Sequence, residues 1–342
     1  MEIITLPVED EWPHQATREM LWQESIVLTW QDVGQSIGGV IRLGHNPNRQ
    51  LGICTFGIVE ANGTCFNRSA ANIPIDEADR FANGFSIGGF LRAEFSTGSS
   101  RWSAHDQDCD FELTCTDLHP LYDTWALVGL KDKFREKFAS SHTEVAALVS
   151  GSLRLGDRHW SISGYGYRDH SWGVRDHSHP AAQLVNLFWL VGSFDKELIV
   201  CACETVSIVG GRFATGFVIK DGLIDRPVVK DVKFIVEADG ISTRGARCVL
   251  ETSRFGQIDL DIEGFGNVLL GMQGDSDAAH SYFECGMPGR MRWNGCEGGM
   301  HVSTMFNARA STRKPVLLHG ASMTQGLYTA PRWTPCISLD DL

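Results

Sequence analysis

The chain has 342 residues, of which 43% are hydrophobic and 21% are charged, and it carries a formal net charge of −12. This composition is typical of a globular protein, and the length predicts two domains rather than one. The acidic balance argues against a nucleic-acid partner, because proteins that bind nucleic acids present a basic surface.

No segment predicts a membrane span or an export signal. All apolar runs are shorter than the ~18 residues that a membrane helix needs, and residues 1–5 lack the basic and apolar regions of a secretory signal. We therefore expect a cytoplasmic protein without an integral membrane segment, in which the ten cysteines are reduced thiols. Cys201 and Cys203 fall on one face of an apolar strand and are interpreted as core residues.

The first half of the chain predicts a series of short β-strands. Cys109, Phe111, Leu113 and Cys115 alternate with polar residues, which indicates a strand with one buried face. The segment 124–140 is predicted to be a helix. Strands are predicted over residues 25–30, 38–45, 51–60, 85–96, 101–103, 108–117 and 145–155.

The second half repeats this pattern of short apolar segments and turns. Strands are predicted over residues 184–191, 197–209, 213–220, 228–237, 246–252 and 255–262. Short strands at this spacing are typical of β-sandwiches and β-barrels, and not of alternating strand–helix units. The sequence therefore predicts an all-β protein of two β-barrel or sandwich domains in tandem, with few short helices.

Residues 164–177, near the middle of the chain, differ from the predicted strands on either side. They combine three glycines, two tyrosines, one tryptophan, two arginines, two aspartates and two histidines. The polar groups supply hydrogen-bond donors, acceptors and a side chain that titrates near neutral pH. Such a segment between two apolar strands indicates one of two things. It is either a structural crossing in which the polar groups have hydrogen-bond partners, or a reaction centre.

The run Arg-Asp-His-Ser-Trp-Gly at residues 168–173 resembles the signature of the carotenoid 1,2-hydratase-like superfamily. Members of that superfamily resemble two lipocalin-like β-barrels joined at such a motif. They include bacterial carotenoid hydratases and fungal cyclases that form decalins by Diels–Alder chemistry. The resemblance implies an N-terminal lipocalin-like domain over residues 1–173 and a C-terminal one over residues 174–342.

The resemblance also implies a cofactor-independent, non-redox reaction on a hydrophobic isoprenoid, polyene or lipid-like substrate. Addition of water to an isolated double bond, cyclisation and isomerisation are the reactions found in the superfamily. In its hydratases the His and Trp of the motif are linked to activity, which carries over to His170 and Trp172 in this sequence.

Protonation of a double bond needs an acid, a dry pocket and an electron-rich face that stabilises the cation. An Asp or His in an apolar site provides the acid, and a tryptophan ring provides the face. Asp169, His170 and Trp172 supply this set, and Asp176 is a further candidate for the acidic partner. On an extended segment His170 and Trp172 point to one side and Asp169 to the other. We expect His170 and Trp172 to face the cavity that the two halves enclose.

Further residues are predicted to bind the substrate, because they add aromatic faces and polar tips near the motif or in the second half. They are Tyr165, Tyr167, Arg168, His177, Phe188, Trp189, Tyr282 and Trp293. An alternative stays open, since Arg168, Asp169, Arg175 and Asp176 also fit a buried ion-pair network that ties two domains together. Phe188 and Trp189 also fit core packing, and a solvated hairpin is favoured over the pocket for Tyr282 and Trp293.

No metal or organic cofactor is expected. The spacing of His170, His177 and His179 matches no standard zinc site. The glycine-rich segment 295–299 lacks the strand-then-helix context of a phosphate-binding loop. Ser171 is not in a nucleophile elbow, so a serine-dependent reaction is not predicted either.

Three functions remain compatible with the sequence. The first is an enzyme of the hydratase, cyclase or isomerase type, which the acid, base and aromatic groups of the motif favour. The second is a non-catalytic carrier of a hydrophobic small molecule, which predicts a pocket without a buried titratable group. The third is a structural protein whose motif only clasps two domains, which predicts a closed core there. The identity of the substrate and the oligomeric state stay open.

Overall fold

The computed structural model describes residues 3–129, 139–176, 184–207, 212–237, 242–270, 282–307, 326–329 and 337–338. Within these segments the chain forms twenty-three β-strands, one α-helix and three short 3-10 helices at Val8–Glu11, Pro47–Arg49 and Glu77–Asp79. The predicted all-β class is therefore confirmed. No helix in the described segments is long and apolar enough to cross a membrane.

The first sheet has twelve strands, eleven of them from the first half of the chain. They are β1 (Trp22–Asp32), β2 (Ile37–Asn46), β3 (Leu51–Glu60), β4 (Thr64–Pro74), β5 (Arg80–Phe81), β6 (Gly84–Ile87), β7 (Leu91–Ser96), β8 (Ser99–His105), β9 (Cys109–Asp117), β10 (Ser141–Leu155), β11 (Arg158–Val174) and, from the C-terminal part, β22 (Gly326–Thr329). Their order in the sheet is β22-β4-β3-β2-β1-β11-β10-β9-β8-β7-β6-β5. The long strand β11 lies between β1 and β10 and is antiparallel to both.

The second sheet has eleven strands. They are β12 (Leu184–Phe194), β13 (Leu198–Ser207), β14 (Arg212–Lys220), β15 (Leu223–Asp225), β16 (Val228–Val236), β17 (Thr243–Thr252), β18 (Gly256–Gly264), β19 (Val268–Leu270), β20 (Tyr282–Trp293), β21 (Cys296–Asn307) and β23 (Ile337–Ser338). Their order is β15-β14-β13-β12-β21-β20-β18-β17-β16-β23, and β19 pairs with β20.

Each sheet buries one face in a hydrophobic core of its own. In β1, Ile26, Leu28 and Trp30 alternate with residues that point the other way and lie in the first core. The second core contains Phe188 of β12 and Trp293 of β20. Because each core forms within one half of the chain, the two sheets define two packing units.

The opposite faces of the two sheets pack against each other. An apolar cluster between them joins Tyr167 of the first sheet to Val191 of the second. The faces approach closely at Gly299, where an added Cβ atom would lie 2.6 Å from the Cβ atom of Tyr165. A residue without a side chain is required there.

The α-helix α1 (Thr124–Val128) is shorter than the predicted helix over residues 124–140. The Asp123 side chain caps its N-terminus by accepting a hydrogen bond from the Ala126 N–H at 3.0 Å. Gly129 ends the helix in the left-handed conformation, with φ +69°. Residues 130–138 lie outside the described residues.

The chain passes from the first sheet to the second between Val174, where β11 ends, and Leu184, where β12 begins. The segment 164–174 is not a loop at this junction, because all of it lies within β11. The division of the chain is also not strictly sequential, since β22 from the C-terminal part pairs with β4 of the first sheet.

Candidate active site

A cavity of about 210 Å³ lies between the two sheets. Strands β1, β2, β10 and β11 supply one wall, strands β12, β13, β14, β20 and β21 supply the other, and helix α1 also lines it. Its apolar lining includes Val27, Trp125, Leu187, Trp189 and Met305. The cavity therefore offers an apolar site with two indole rings in its walls.

Three ionisable side chains meet in one wall of this cavity. His142 and Glu144 lie two residues apart on β10, so they point to the same face. Asp169 on β11 is the direct cross-strand partner of Glu144. The Nε2 atom of His142 lies 2.9 Å from Oε1 of Glu144 and 3.1 Å from Oδ2 of Asp169. One imidazole nitrogen thus contacts two carboxylates, and we call these three residues the triad.

Glu144 is held in its ionised form by donors from both sheets. Its oxygens accept hydrogen bonds from Tyr167 Oη at 2.9 Å, Cys201 Sγ at 2.9 Å and Trp189 Nε1 at 3.0 Å, besides the contact with His142. Burial by itself raises the pKa of Glu144, but the bonds and charge of His142 and the bonds from Cys201 and Tyr167 outweigh it and lower the pKa. Four donors fill the hydrogen-bonding capacity of the carboxylate.

Asp169 has the opposite electrostatic environment. Burial raises the pKa of its carboxyl group, the charge of Glu144 raises it further, and the charges of His142 and Arg175 only partly oppose this. The two carboxylates of the triad therefore differ, with Glu144 the ionised member and Asp169 the member that retains a proton more readily. A pair of acids whose pKa values are pushed apart is the arrangement that acid–base enzymes use.

His142 connects the two carboxylates. Burial lowers the pKa of His142, but the charge of Asp169 and the bond with Glu144 outweigh it and raise the pKa. The imidazole stacks on Trp125 of α1, with ring centroids 4.4 Å apart. Its Nδ1 atom has no hydrogen-bond partner among the described residues, although the side chain is buried. This nitrogen is available to a ligand in the cavity.

Further polar side chains line the other parts of the cavity. Glu284 of β20 lies 3.9 Å from Arg42 of β2, and burial raises the pKa of Glu284 despite the charge of Arg42. His301 of β21 is fully buried, which lowers its pKa to about 3 and keeps the imidazole neutral. Arg175 donates a hydrogen bond to Ser171 Oγ at 2.7 Å.

His170 and Trp172 lie on the other face of β11, and neither side chain lines this cavity. His170 Nε2 lies 3.0 Å from Oε1 of Glu24, which also contacts His14 Nδ1 at 2.7 Å. Trp172 stacks on His14, with ring centroids 3.7 Å apart. The two residues do point the same way, as expected, but they point into the first sheet's own interior. The physical reason is the strand alternation, which sends Asp169 to the cavity and His170 away from it.

The other predicted residues divide between the cavity, the interface and the two cores. Trp189 lines the cavity, Tyr167 contacts the triad through its hydroxyl, and Tyr165 lies at the sheet interface. Arg168 forms buried ion pairs with Glu11 and Asp117 on the side away from the cavity.

The remaining predicted residues lie away from the cavity or outside the described part of the chain. Phe188 and Trp293 belong to the second core, so the structure does not bring them to the cavity. Asp176 follows β11 and does not line the cavity. His177 and the side chain of Tyr282 lie outside the described part of the chain.

Two groups of described residues bring three potential metal-ligand atoms within 4.8 Å of one another. They are His14, Glu24 and His170 in the first core and the triad in the cavity. In the first group Arg80 also contacts Glu24, at 2.5 Å, which places a competing cation on the carboxylate. In the triad Glu144 also accepts hydrogen bonds from Tyr167, Trp189 and Cys201, which are not among the three potential ligands.

Several residues of the site were not predicted from the sequence. His142 and Glu144 precede the strand predicted over residues 145–155, while the observed strand β10 starts at Ser141. His142 and Glu144 alternate with Thr143 and Val145, which is the period-two pattern of a β-strand. A search for runs of apolar residues does not detect it. Arg42 lies within a predicted strand, but its charge there was not related to the central motif.

A comparison with sequence models of protein families assigns this chain to a family. Residues 7–308 match the model of a family described as "Domain of unknown function (DUF7064)". The chain belongs to the DUF7064 family. A comparison with curated proteins finds no matching relative for this DUF7064 protein.

Solved structures share the fold of this DUF7064 protein at low sequence identity. A candidate AttH protein from Nitrosomonas europaea has 13% identity and a TM-score of 0.62, and the match covers 90% of this chain and 98% of that one. The crystal structure of CghA with Sch210972 has 10% identity and a TM-score of 0.56, with 84% and 89% covered. Kievitone hydratase from Nectria haematococca has 13% identity and a TM-score of 0.53, with 90% and 93% covered. The predicted pair of lipocalin-like domains is confirmed by this likeness.

Proposed function

We propose that this DUF7064 protein is a cofactor-independent acid–base enzyme that acts on a hydrophobic substrate with a carbon–carbon double bond. The observation that carries the proposal is the triad, in which one buried imidazole contacts two carboxylates of unlike pKa at the wall of an apolar cavity. An isoprenoid, polyene or similar lipid-like molecule suits the aromatic and aliphatic lining. Hydration, cyclisation and isomerisation all fit this chemistry.

In the proposed mechanism Asp169 is the acid. Its O–H bond breaks as the proton moves to one carbon of the double bond, and the π electrons form the new C–H bond. The neighbouring carbon becomes a cation, which the indole faces of Trp125 and Trp189 stabilise. The Glu144–His142 pair keeps Asp169 oriented, and the apolar walls limit the access of bulk water.

The cation then has three outcomes, each of which returns one proton to the Asp169 carboxylate. Attack by a water molecule followed by loss of its proton gives a hydrated product. Attack by a second double bond followed by loss of a neighbouring proton gives a ring. Loss of a proton from a neighbouring carbon alone moves the double bond. No external oxidant, reductant or cofactor is consumed in any of them.

The non-catalytic carrier remains the alternative function. A carrier needs the apolar cavity but has no use for a buried acid, whose placement costs free energy. The presence of the triad and Glu284 in this cavity therefore favours the enzyme. The names of two neighbours agree with a ligand-processing fold, since one is a hydratase and the other was crystallised with Sch210972.

Deuterium incorporation tests the enzymatic proposal. Isoprenoid and polyene alkenes are incubated with the protein in D₂O, and the recovered alkenes and products are analysed by mass spectrometry. We expect deuterium at carbon with the wild type and about a hundredfold less with Asp169→Asn, because a positioned acid contributes that much. Binding of alkenes without deuterium incorporation would favour the carrier instead.

A further inference from the structure

Two buried side-chain atoms without a hydrogen-bond partner among the described residues lie where helix α1 borders the cavity. They are Oγ1 of Thr124 and Nδ1 of His142, and both side chains line the cavity. Thr124 is 3% exposed and His142 is 9% exposed, so bulk solvent reaches neither side chain freely. Burial of a polar atom without a partner is unfavourable. The two atoms therefore indicate a polar ligand at this end of the cavity.

The fold brings Thr124 and His142 next to each other. An isolated β-bridge pairs Asp123 with Thr143 in antiparallel fashion, so Thr124 and His142 come directly after it on adjacent segments. Trp125, the next residue of α1, stacks on the His142 imidazole with ring centroids 4.4 Å apart. The two atoms therefore lie at the same end of the cavity, beside the Trp125 indole.

The hydrogen bonds of His142 determine what its Nδ1 atom can do. Nε2 lies 2.9 Å from Oε1 of Glu144, and an ionised carboxylate only accepts hydrogen bonds. A neutral imidazole in this position therefore carries its proton on Nε2 and presents a lone pair at Nδ1. The Thr124 hydroxyl both donates and accepts. A water molecule satisfies this pair, because it donates to Nδ1, bonds to the Thr124 hydroxyl and keeps a lone pair for reaction.

His142 also differs from the other cavity side chains that have a nitrogen without a partner. Nε2 of Gln23 and Nδ1 of His301 have none in the described segments either. His301 is hydrogen-bonded through Nε2 to Ser303 at 3.2 Å, and neither it nor Gln23 is bonded to a carboxylate among the described residues. The second nitrogen of His142 lies 3.1 Å from Oδ2 of Asp169. His142 therefore connects the space inside the cavity to the acid.

We infer that Thr124 and His142 bind the water molecule that attacks the substrate cation, and that His142 relays a proton from this water to Asp169. The inference rests on the proposed function, because it needs the cation that Asp169 creates. It makes hydration the main outcome among the three reactions proposed for this cavity.

The relay returns the acid to its starting state. The water oxygen forms a C–O bond with the cationic carbon, and one of its O–H bonds breaks as the proton moves to Nδ1 of His142. The Nε2–H bond then breaks as that proton moves to Oδ2 of Asp169, which had given its own proton to the other carbon. The product is an alcohol. The imidazole is neutral with its proton on Nδ1, and exchange with water after product release returns the proton to Nε2.

The electrostatics of the triad give the relay its direction. Burial lowers the pKa of His142 and the charge of Asp169 raises it, so the imidazole becomes a stronger base once Asp169 has protonated the substrate. Glu144 also contacts Nε2, but burial, which raises its pKa, is outweighed by its bonds to His142, Cys201 and Tyr167. Burial and the charge of Glu144 raise the pKa of Asp169. Asp169 is therefore the carboxylate that takes the proton.

Citronellol in D₂¹⁸O is a probe that reports both halves of the reaction. Its one isolated, trisubstituted double bond gains deuterium at carbon on protonation and gives a tertiary cation. Capture of water gives a diol with ¹⁸O at the tertiary carbon, whereas loss of a proton gives back alkene that carries deuterium alone. Mass spectrometry of both products measures the ratio of diol to labelled alkene. With the full-length wild type we expect the diol to be the main labelled product.

Variants of Thr124 connect the diol to the inferred water position. Thr124→Val keeps the shape of the side chain and removes the hydroxyl. We expect its ratio of diol to labelled alkene to fall about tenfold, as the loss of one hydrogen bond to the reacting water implies. Thr124→Ser restores the hydroxyl and should recover most of the ratio. Thr114→Val, at an exposed position of β9, is the matched control and should keep the wild-type ratio.

Replacement of His142 tests the relay. His142→Gln removes the base that takes the proton of the water, and we expect the ratio of diol to labelled alkene to fall about a hundredfold. Labelled alkene should still form, because its proton returns to Asp169 directly. Circular dichroism verifies folding, and if His142→Gln does not fold, the Thr124 variants decide.

The two labels separate this inference from the proposed function. Deuterium-labelled alkene without the ¹⁸O diol in the wild type would overturn the water position and leave Asp169 as the acid. An unchanged ratio in folded Thr124→Val or folded His142→Gln would overturn the inference in the same way. A wild type that incorporates neither label would contradict the proposed function, and the inference with it.

Discussion

Asp169 and Glu144 show how neighbouring side chains shift the pKa values of two similar acids in opposite directions. Both contact His142 Nε2, and they face each other across β10 and β11. Glu144 is surrounded by donors from Tyr167, Trp189 and His142, whereas Asp169 faces the cavity with the charge of Glu144 beside it. The ionised state of Glu144 therefore favours the protonated state of Asp169.

Substitution of Asp169 tests this electrostatic relation through stability. At mildly alkaline pH the folded protein must hold an ionised Asp169 next to Glu144, which is unfavourable because burial and Glu144 raise the pKa of Asp169. We expect Asp169→Asn to be at least as stable as the wild type there, as measured by urea unfolding. The exposed Asp157→Asn is the control and should leave stability unchanged within about 0.5 kcal/mol. A marked loss of stability in Asp169→Asn would mean that the ionised carboxylate is a structural ion-pair partner.

The pH dependence of turnover follows from the same pKa shift. The raised pKa of Asp169 means that its carboxyl group loses the proton at a higher pH than a free aspartate. A reaction that needs the protonated acid proceeds below that pKa and declines as the pH rises through it. We expect the rate of deuterium incorporation to fall on the alkaline side while circular dichroism shows the protein still folded. A rate that increases over that range would identify the ionised carboxylate as a base.

Replacement of Glu144 should damage the fold rather than the chemistry alone. In Glu144→Gln one acceptor oxygen becomes an NH₂ donor. In place of Oε1 this donor faces His142 and Trp189, and in place of Oε2 it faces Tyr167 and Cys201. We expect Glu144→Gln to cost about 3 kcal/mol or more in urea unfolding, because buried donors lose their partner. Glu112→Gln on β9, where the side chain is 52% exposed, is the matched control. A stable Glu144→Gln protein would show that Glu144 is protonated in the wild type.

At the level of single elements, β11 separates two clusters by its alternation. Asp169 and Ser171 point to the cavity, while His170 and Trp172 point to the first core. On the core side, burial raises the pKa of Glu24, but the bonds from His14 and His170 and the charges of His170 and Arg80 outweigh it and lower the pKa to about 2. Its contribution to stability is therefore present above about pH 4.5 and lost as the pH falls towards 2.

This geometry gives His170 a structural role that can be measured. We expect His170→Ala to lose about 3 kcal/mol of stability, since it removes a buried partner of Glu24 and leaves a cavity against Phe85 and Phe95. Turnover per folded molecule should change little. Urea unfolding and the deuterium assay of the same samples provide both values. A His170→Ala protein that is stable but has lost turnover would show that His170 takes part in catalysis.

The sequence predicts the strands of this fold better than it predicts the partners of their side chains. Alternation identified the segment of β9, and it also predicted that Asp169 and His170 point to opposite sides. Which side faces the cavity depends on Trp189 and Cys201, which come from distant strands and are not encoded near the motif. Helix α1 ends at Gly129, a helix-termination signal inside the helix predicted over residues 124–140, and residues 130–138 lie outside the described residues.

At the level of the whole molecule, hydrogen bonds across the interface connect the two sheets and helix α1. Trp189 and Cys201 of the second sheet both donate to Glu144 of the first. Arg226 Nη2 donates to the Ala126 carbonyl at 2.9 Å and so caps the C-terminal end of α1. All three triad residues belong to the first sheet, but two of the four donors to Glu144 come from the second sheet. We therefore expect the site to couple the stability of the two halves.

A fragment of residues 1–176 tests this coupling. It lacks Trp189 and Cys201 as donors to Glu144, lacks β22 beside β4, and exposes the apolar cluster around Tyr167 that the second sheet covers. For the full chain we expect one urea transition, with tryptophan fluorescence and circular dichroism giving the same midpoint. For the fragment we expect a lower midpoint or self-association, since a large exposed apolar face favours contact between copies. A monomeric fragment with the midpoint of the full chain, or two separate transitions in the full chain, would show that each half folds independently. In that case the bonds from Trp189 and Cys201 would stabilise the triad without coupling the two halves.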